Sequence, residues 1–338
     1  MKTLVRLLSL LLLVSLLLSF AGCSFLLSFF EAPSAPPVNF EPTVYTEVIK
    51  TAFEASYGDQ LSPNEKCIYD AVIALSPGED QVSIVFPEIP ALCAGREPTE
   101  AETDALGKKI GYWVANALYA MWLDCPENFW IEHNKYSYSY EMKSDENGIV
   151  KLTKLTLDLS LTKPKEEILS DLAKLTAATK DFSVKGKTAA DKVAYINNYL
   201  STRIEYDLDA KNRSSVIGAL VDRKCVCEGY ARAFAYLCRK AGIDAVNIPG
   251  YGKTEEKTEG HMWNGVSIDG VFYAVDVTWN DTTKKNTYLL VGSTTLCGKS
   301  TFGESHTPDM LTLDGPHKAF ALPSISEYAY GTEPQKDN

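Results

Sequence analysis

The sequence predicts an α+β fold, and three observations carry that prediction. Ile110, Val114, Leu118 and Met121 recur at the three- and four-residue spacing of an amphipathic helix, whereas Tyr136, Tyr138, Tyr140 and Met142 alternate as in a half-buried strand. Asn147-Gly148, a hairpin dipeptide, separates that strand from a second alternating run, Leu155, Leu157, Leu159 and Leu161. Near the other end, a helix that opens at Cys227 is followed by a hairpin folded about Asp269-Gly270.

In chain order, Lys2 and Arg6 precede a Leu-rich run from Leu7 to Leu18, and small residues follow before Cys23. That is the layout of a secretory signal, and Phe20-Ala21-Gly22-Cys23 resembles the bacterial lipobox. The expectation is a lipoprotein-type signal peptide over residues 1–22, whose cleavage leaves Cys23 lipidated. An uncleaved transmembrane anchor stays open, because apolar character resumes from Phe25 to Phe30. Either reading puts the body on the extracytoplasmic face of a bacterial membrane. Residues 23–44, with Pro33, Pro36, Pro37 and Pro42, read as a stiff tether. Residues 45–180 read as a small α+β domain with no catalytic cluster, its tyrosine stripe suited to core or sheet surface rather than to a carbohydrate platform. Residues 181–330 hold the chemistry, beginning with a helix from about Thr188 to Arg203 that aligns Val193, Ile196 and Leu200. Residues 331–338 form a polar tail.

The 33 basic against 44 acidic side chains give a formal charge of −11, which offers nucleic acid no counterion-releasing surface. Cysteine stands at 23, 67, 93, 125, 225, 227, 238 and 297. An oxidising exterior permits disulfides among them, but the spacing fixes no connectivity.

Tyr230, Phe234, Leu237, Cys238 and Ala241 follow helical spacing after Cys227, and Gly242 supplies the stop. Cys227 therefore falls in a first turn, where unpaired N–H groups and the helix dipole favour a thiolate and can receive an oxyanion. Gly229 would let a substrate backbone approach closely.

His261 to Ile268 reads as one strand and Val271 to Asp276 as its partner. With Asp269-Gly270 as a two-residue turn, Gly265 opposes Ala274 and Trp263 opposes Asp276. His261 and Asp276 then share a face as diagonal neighbours, a gap of about 7–8 Å between backbones that an imidazole and a carboxylate can close. A thiol, an imidazole and a carboxylate in that relation predict a catalytic triad of Cys227, His261 and Asp276.

Cys227-Glu228-Gly229-Tyr230-Ala231, Gly260-His261-Met262-Trp263-Asn264 and Tyr273-Ala274-Val275-Asp276-Val277-Thr278-Trp279 resemble, in order and spacing, three core motifs of the transglutaminase-like superfamily. Tyr206-Asp207 resembles a recurring upstream element, and Asp124 to Trp130 is similar to the leading region of some secreted bacterial members. The resemblance covers about Ala189 to Trp279. It implies a papain-like core, with the cysteine's helix packed on an antiparallel sheet that carries His and Asp, and an acyl-thioester intermediate. Cys225 departs from the pattern, which more often has a small residue there. Tyr206 is a candidate oxyanion donor beside the Cys227 N–H, and Trp263 a candidate cleft wall.

The function that follows is thiol-dependent acyl transfer on peptide or amide bonds of external proteins or cell-wall peptides, with no cofactor and no metal. Hydrolysis is favoured because water is abundant outside the cell and no amine pocket is identifiable. The alternatives are protein-glutamine crosslinking and a non-catalytic scaffold of the same fold. A zinc site of Cys225, Cys227, Cys238 and His261 lacks the paired spacing of common zinc modules.

Overall fold

The computed structural model describes residues 56–86, 91–309 and 320–332, and the structural statements here concern those residues. The expected signal peptide, Cys23, the tether and most of the polar tail lie outside them. Among the described residues no helix is long and apolar enough to cross a membrane.

The first two long helices begin at capping boxes. In α1 (Pro63–Ile73) Glu65 accepts the Ser62 N–H at 2.7 Å, and in α2 Glu102 accepts the Thr99 N–H at 2.8 Å. Between them lie two short strands, β1 (Gln81–Ile84) and β2 (Cys93–Ala94). α2 (Glu100–Asp124) buries Ile110, Val114, Leu118 and Met121, the predicted stripe. β3 (Ile131–Ser144) and β4 (Ile149–Leu161) form a long antiparallel hairpin, and β1 and β2 pair with the far side of β4.

The β3–β4 connection is wider than the two-residue turn that Asn147-Gly148 suggests. Asp145 begins it, its carboxylate accepting the N–H groups of Asn147 and Ile149, and Gly148 closes it at φ 73°. A side-chain acceptor at the start and a left-handed glycine at the end fix this longer loop. The tyrosines of β3 lie against α2. The hydroxyls of Tyr136, Tyr138 and Tyr140 donate to the carbonyls of Gly111, Gly107 and Thr103 at 3.4, 2.8 and 3.1 Å. The sheet comes so close that a Cβ on Gly111 would stand 2.9 Å from the Tyr138 hydroxyl oxygen.

After α3 (Lys165–Thr179), the helix α4 (Ala189–Ser201) starts at Thr188, which accepts the Asp191 N–H at 3.1 Å, and buries Val193, Ile196 and Leu200. Two short parallel strands, β5 (Glu205–Tyr206) and β6 (Lys224–Cys225), then lead to α5 (Cys227–Lys240). α5 buries Tyr230, Phe234, Leu237 and Cys238, and Gly242 at φ 69° ends it, as the spacing predicts.

α5 packs on an antiparallel sheet formed by β7 (Ala245–Lys253), β8 (Thr258–Ile268) and β9 (Val271–Val275), extended by β10 (Leu289–Val291) after the helix α6 (Val277–Thr283). A ribbon of β11 (Leu296–Cys297) and β12 (Ser300–Thr301) and the single turn α7 (Phe302–Ser305) follow. β13 (His306–Pro308) then returns to the sheet edge, giving the order β10-β9-β8-β7-β13. Ile268 pairs with Val271 and Gly265 with Ala274, in the predicted register. Asp269 and Gly270, at φ 52° and 80°, supply the left-handed pair that the turn requires.

Tyr57 donates to the Asn247 carbonyl at 2.6 Å and Asn247 Nδ2 to the Leu123 carbonyl at 2.8 Å, joining α2 and its neighbours to β7. One contiguous apolar core runs through both halves.

Candidate active site

Cys227 owes its position to the strand pair beneath α5. The Asp207 N–H bonds the Cys225 carbonyl at 3.1 Å and the Val226 N–H bonds the Arg213 carbonyl at 3.0 Å. Val226 is extended, so the helix begins at the next residue and Cys227, half-buried, occupies its first position. Cys225 is wholly buried, and that burial pushes its thiol far above the ordinary cysteine range. Of the two neighbours, Cys227 alone is partly open.

The expectation for Gly229 changes. A Cβ there would stand 2.5 Å from the Arg213 carbonyl oxygen and 2.5 Å from the Cys225 Cβ. The missing side chain admits this loop and Cys225 beneath the helix rather than a substrate.

His261 lies on β8, and its Nε2 is 2.7 Å from Asp276 Oδ2. The Cys227 thiol is a second neighbour whose interaction with the ring raises its proton affinity, and Nδ1 is the nitrogen left to face it. Asp276 is not the end of a strand, as the alternation suggested. β9 stops at Val275, and Asp276 caps α6, its Oδ1 accepting the Trp279 N–H at 3.0 Å. The helix that follows at once turns the carboxylate back under His261, so the shared face persists although the ladder ends at Asn264 and Val275.

Burial disfavours charge on both partners, but their mutual attraction prevails. The Asp276 carboxylate and the Cys227 thiol outweigh desolvation and push His261 up to about 10. His261 and His306 likewise outweigh desolvation and hold Asp276 well below the usual carboxylate range. The His261 ring lies between Trp263 and Trp279, with centroids 6.0 and 5.4 Å away, and Trp263 is buried beneath it. Tyr206 borders the same thiol. Burial raises its hydroxyl to about 12, with Cys227, Glu259 and Cys225 adding to the shift, and the ring stays partly exposed.

Several supporting residues escaped the sequence reading. His306, buried on β13, approaches Asp276 Oδ2 to 3.1 Å, yet Ser305-His306 matches no recognisable motif. Asn264 reaches the Ala231 and Val246 carbonyls and Asn247 Oδ1 at 3.0–3.2 Å, clamping α5 to the sheet. Tyr230 sits 2.7 Å from Asp281 Oδ2, tying α5 to α6. Tyr230 and Asn264 stood in the quoted motifs, but their work was not evident from spacing.

His261, Asp276 and His306 have potential ligand atoms within 4.8 Å of one another. Contacts of 2.7 and 3.1 Å to one shared oxygen are hydrogen bonds, and we read them as such. The Cys225, Cys227, Cys238 and His261 set does not assemble, since Cys238 lies eleven positions along the same helix from Cys227, about 16 Å away. The seven cysteines among the described residues are free thiols. A cavity of about 420 Å³ opens on another side of α5, where Glu228 and Arg232 meet Trp122 and His133, and none of Cys227, His261 or Asp276 lines it.

A helix that begins at cysteine, packed on an antiparallel sheet whose neighbouring strands bring histidine and aspartate together, defines an α+β, papain-like core. Residues 176–277, which include Cys227, His261 and Asp276, match the family model of the transglutaminase-like superfamily. The chain is 28% identical over 214 residues to the kyphoscoliosis peptidase of Mus musculus, covering 52% of this chain and 32% of that protein. It is 29% identical over 198 residues to the Homo sapiens kyphoscoliosis peptidase, covering 53% of this chain and 28% of that protein. The match thus spans about a third of the curated relatives' length. A Cytophaga hutchinsonii crystal structure, described as a candidate cysteine protease, aligns at 18% identity and TM-score 0.28, over 43% of this chain and 65% of that one.

Proposed function

We propose that the chain is a thiol-dependent acyl-transfer enzyme acting on peptide or amide bonds outside the cytoplasm, with Cys227, His261 and Asp276 as its catalytic triad. The observation that carries this reading is the position of His261, bonded to the buried Asp276 at 2.7 Å and neighbour to the half-buried Cys227 thiol.

In the proposed cycle the Cys227 proton resides on His261, and the thiolate attacks the carbonyl carbon of a peptide or amide. Negative charge moves to the carbonyl oxygen, facing the Cys227 backbone N–H and the Tyr206 hydroxyl, which stays protonated at neutral pH and can donate. The C–N bond breaks as His261 returns the proton to the leaving amine, leaving a thioester on Cys227. Water then attacks, His261 takes its proton, and the C–S bond breaks to free the acid and restore the thiolate. Asp276 remains ionised throughout, orienting the ring and stabilising its charged form. No cofactor enters the cycle.

Hydrolysis is the reading we favour over transfer to an amine, and the name of the curated relatives, a peptidase, supports it. The proposed substrates are external proteins or cell-wall peptides, met at a membrane surface to which lipidated Cys23 holds the chain. Residues 45–180 would then form the unit between tether and catalytic domain.

The test pairs a peptide-cleavage screen with an amine-incorporation assay, using Cys227→Ala as control. Cleavage lost in the variant supports hydrolysis, and amine incorporation without cleavage replaces it with crosslinking. A wild-type Cys227 that iodoacetamide labels no faster than an unactivated thiol would leave the scaffold reading. Metabolic labelling with a palmitate analogue, lost in Cys23→Ala, tests the anchor.

A further inference from the structure

Resting on the thiol-enzyme reading of Cys227, His261 and Asp276, we propose that His306 is a positioning residue that donates a second imidazole hydrogen bond to Asp276 and limits how strongly Asp276 holds the His261 proton. The observation is that one carboxylate oxygen, Asp276 Oδ2, receives both His261 Nε2 at 2.7 Å and His306 Nε2 at 3.1 Å.

Chemistry fixes which nitrogen of His306 carries the proton. Asp276 is ionised and therefore only accepts. A bare Nε2 lone pair facing it at 3.1 Å would be repelled, so Nε2 bears hydrogen. Burial lowers the proton affinity of His306 and keeps the ring neutral, which leaves Nδ1 as an acceptor. The Ser305 hydroxyl lies 2.9 Å from Nδ1 and 3.1 Å from the carbonyls of both Thr301 and Phe302, so its one proton serves only one of the three. Ser305, His306, Asp276 and His261 thus form one run of polar contacts, with the Cys227 thiol as a further neighbour of His261.

The ring is held firmly enough for the task. It stacks on Phe302 at 4.0 Å and 10°, and packs against Trp279 and Trp263 at centroid distances of 4.4 and 5.0 Å. His306 pairs with Gly252 across the sheet edge, and a Cβ on Gly252 would stand 3.0 Å from Trp279 and 3.2 Å from His261. β13 thereby joins the aromatic box around the triad.

The consequence is electrostatic. Charge on Oδ2 that is shared between two donors stabilises the His261 imidazolium less than charge offered to one. The titratable groups facing Asp276 are His261 from β8, His306 from β13, Tyr288 before β10 and Cys297 on β11, and His261 also faces Cys227 from α5. Burial raises Tyr288, and it raises Cys297 to about 11, so both stay neutral where the thiol–imidazole pair works.

The test is the pH profile of Cys227 alkylation in the full chain, compared among wild type, His306→Phe, His306→Gln and His261→Ala. Phe keeps the stacking without a donor, and Gln restores an N–H. Losing the second donor moves the alkaline limb up by about one pH unit in His306→Phe, while His306→Gln stays within about 0.3 unit of wild type. Nitrogen-15 NMR of the wild type reads the His306 tautomer without any substitution, and Nε2–H with an accepting Nδ1 is expected. Coincident wild-type and His306→Phe profiles, or an Nδ1–H tautomer, overturn the assignment while leaving the thiol reading intact. If His306→Phe fails to fold, the tautomer decides. Wild-type Cys227 reacting as an unactivated thiol removes the thiol reading itself, and with it the role given to His306.

Discussion

Between α1 and β4 the buried polar side chains chiefly serve helix ends, whereas between α4 and β13 they bond one another across the fold. Glu65 and Glu102 sit three residues after the residues they cap, and Arg96 grips Glu102 at 2.6 and 2.7 Å. Asn116, which donates to Glu65 at 2.6 Å, merely extends one of those caps. In the other half, Asn280 meets Asn197, Tyr230 meets Asp281, and two histidines meet Asp276. Helix starts need partners for free N–H groups whatever the protein does. No single helix or strand needs an asparagine pair or a doubly bonded aspartate. Long-range polar burial of that kind costs desolvation without supporting local structure, so its return must lie in holding particular side chains in place.

The largest break in this contrast is chemical. Cys227→Ala or His261→Ala should lower kcat/KM by about 10³-fold or more, and Asp276→Asn by about 10²–10⁴-fold, because in the proposed cycle the three act as a unit. Urea unfolding of Cys227→Ala should stay near wild type, since a half-buried thiol leaves little cavity. An Asp276→Asn enzyme with full activity would remove Asp276 from the triad.

A second break uses pH. His261 is raised to about 10 in the folded protein, against about 6.5 in an unfolded chain. A folded state that holds the proton more tightly gains stability that is complete below about pH 6.5 and is lost progressively as pH rises towards 10. The difference in unfolding free energy between wild type and His261→Gln should therefore shrink across that interval. A difference that grows with pH would mean that the imidazole is held neutral. Glu102 of the first half should not contribute in this range, since Arg96 holds it down to about 2.

How far the sequence could be read follows the same division. The capped helices, the alternating strands and the Asp269-Gly270 register are local, periodic signals, and the His261–Asp276 relation followed from that register. His306 was not legible, because it reaches Asp276 through 30 residues of ribbon and turn rather than through a repeat. Gly229 was misread for a related reason. Its lack of a side chain was evident, but the neighbour that fills the space, Arg213, arrives from a loop whose path no spacing encodes. Asp276 was legible as a partner and not as a helix cap, since the aromatic and β-branched run before it masks the start of α6.

Buried asparagines should register in stability rather than chemistry first. Asn264→Ala removes the amide that donates to the Ala231 and Val246 carbonyls and to Asn247 Oδ1 in the dry contact between α5 and the sheet, and should cost about 1–3 kcal/mol in equilibrium unfolding. A loss of activity larger than the stability loss explains would show that the clamp also aligns Cys227 with His261.

The smallest expected effect lies in the tyrosine ladder over α2. Tyr138 donates to a helical carbonyl of Gly107 from a half-buried position, while its ring covers Gly111. Tyr138→Phe keeps the ring and removes one hydroxyl, so the cost should be at most about 1 kcal/mol. Tyr138→Ala should cost more, because it uncovers the glycine stripe that lets sheet and helix approach. Neither should alter the pH profile of Cys227 alkylation. A shift in that profile from Tyr138→Phe would mean that the first half is coupled to the site as tightly as the asparagine network is, and the distinction between local and long-range polar burial would no longer mark where the chemistry lies.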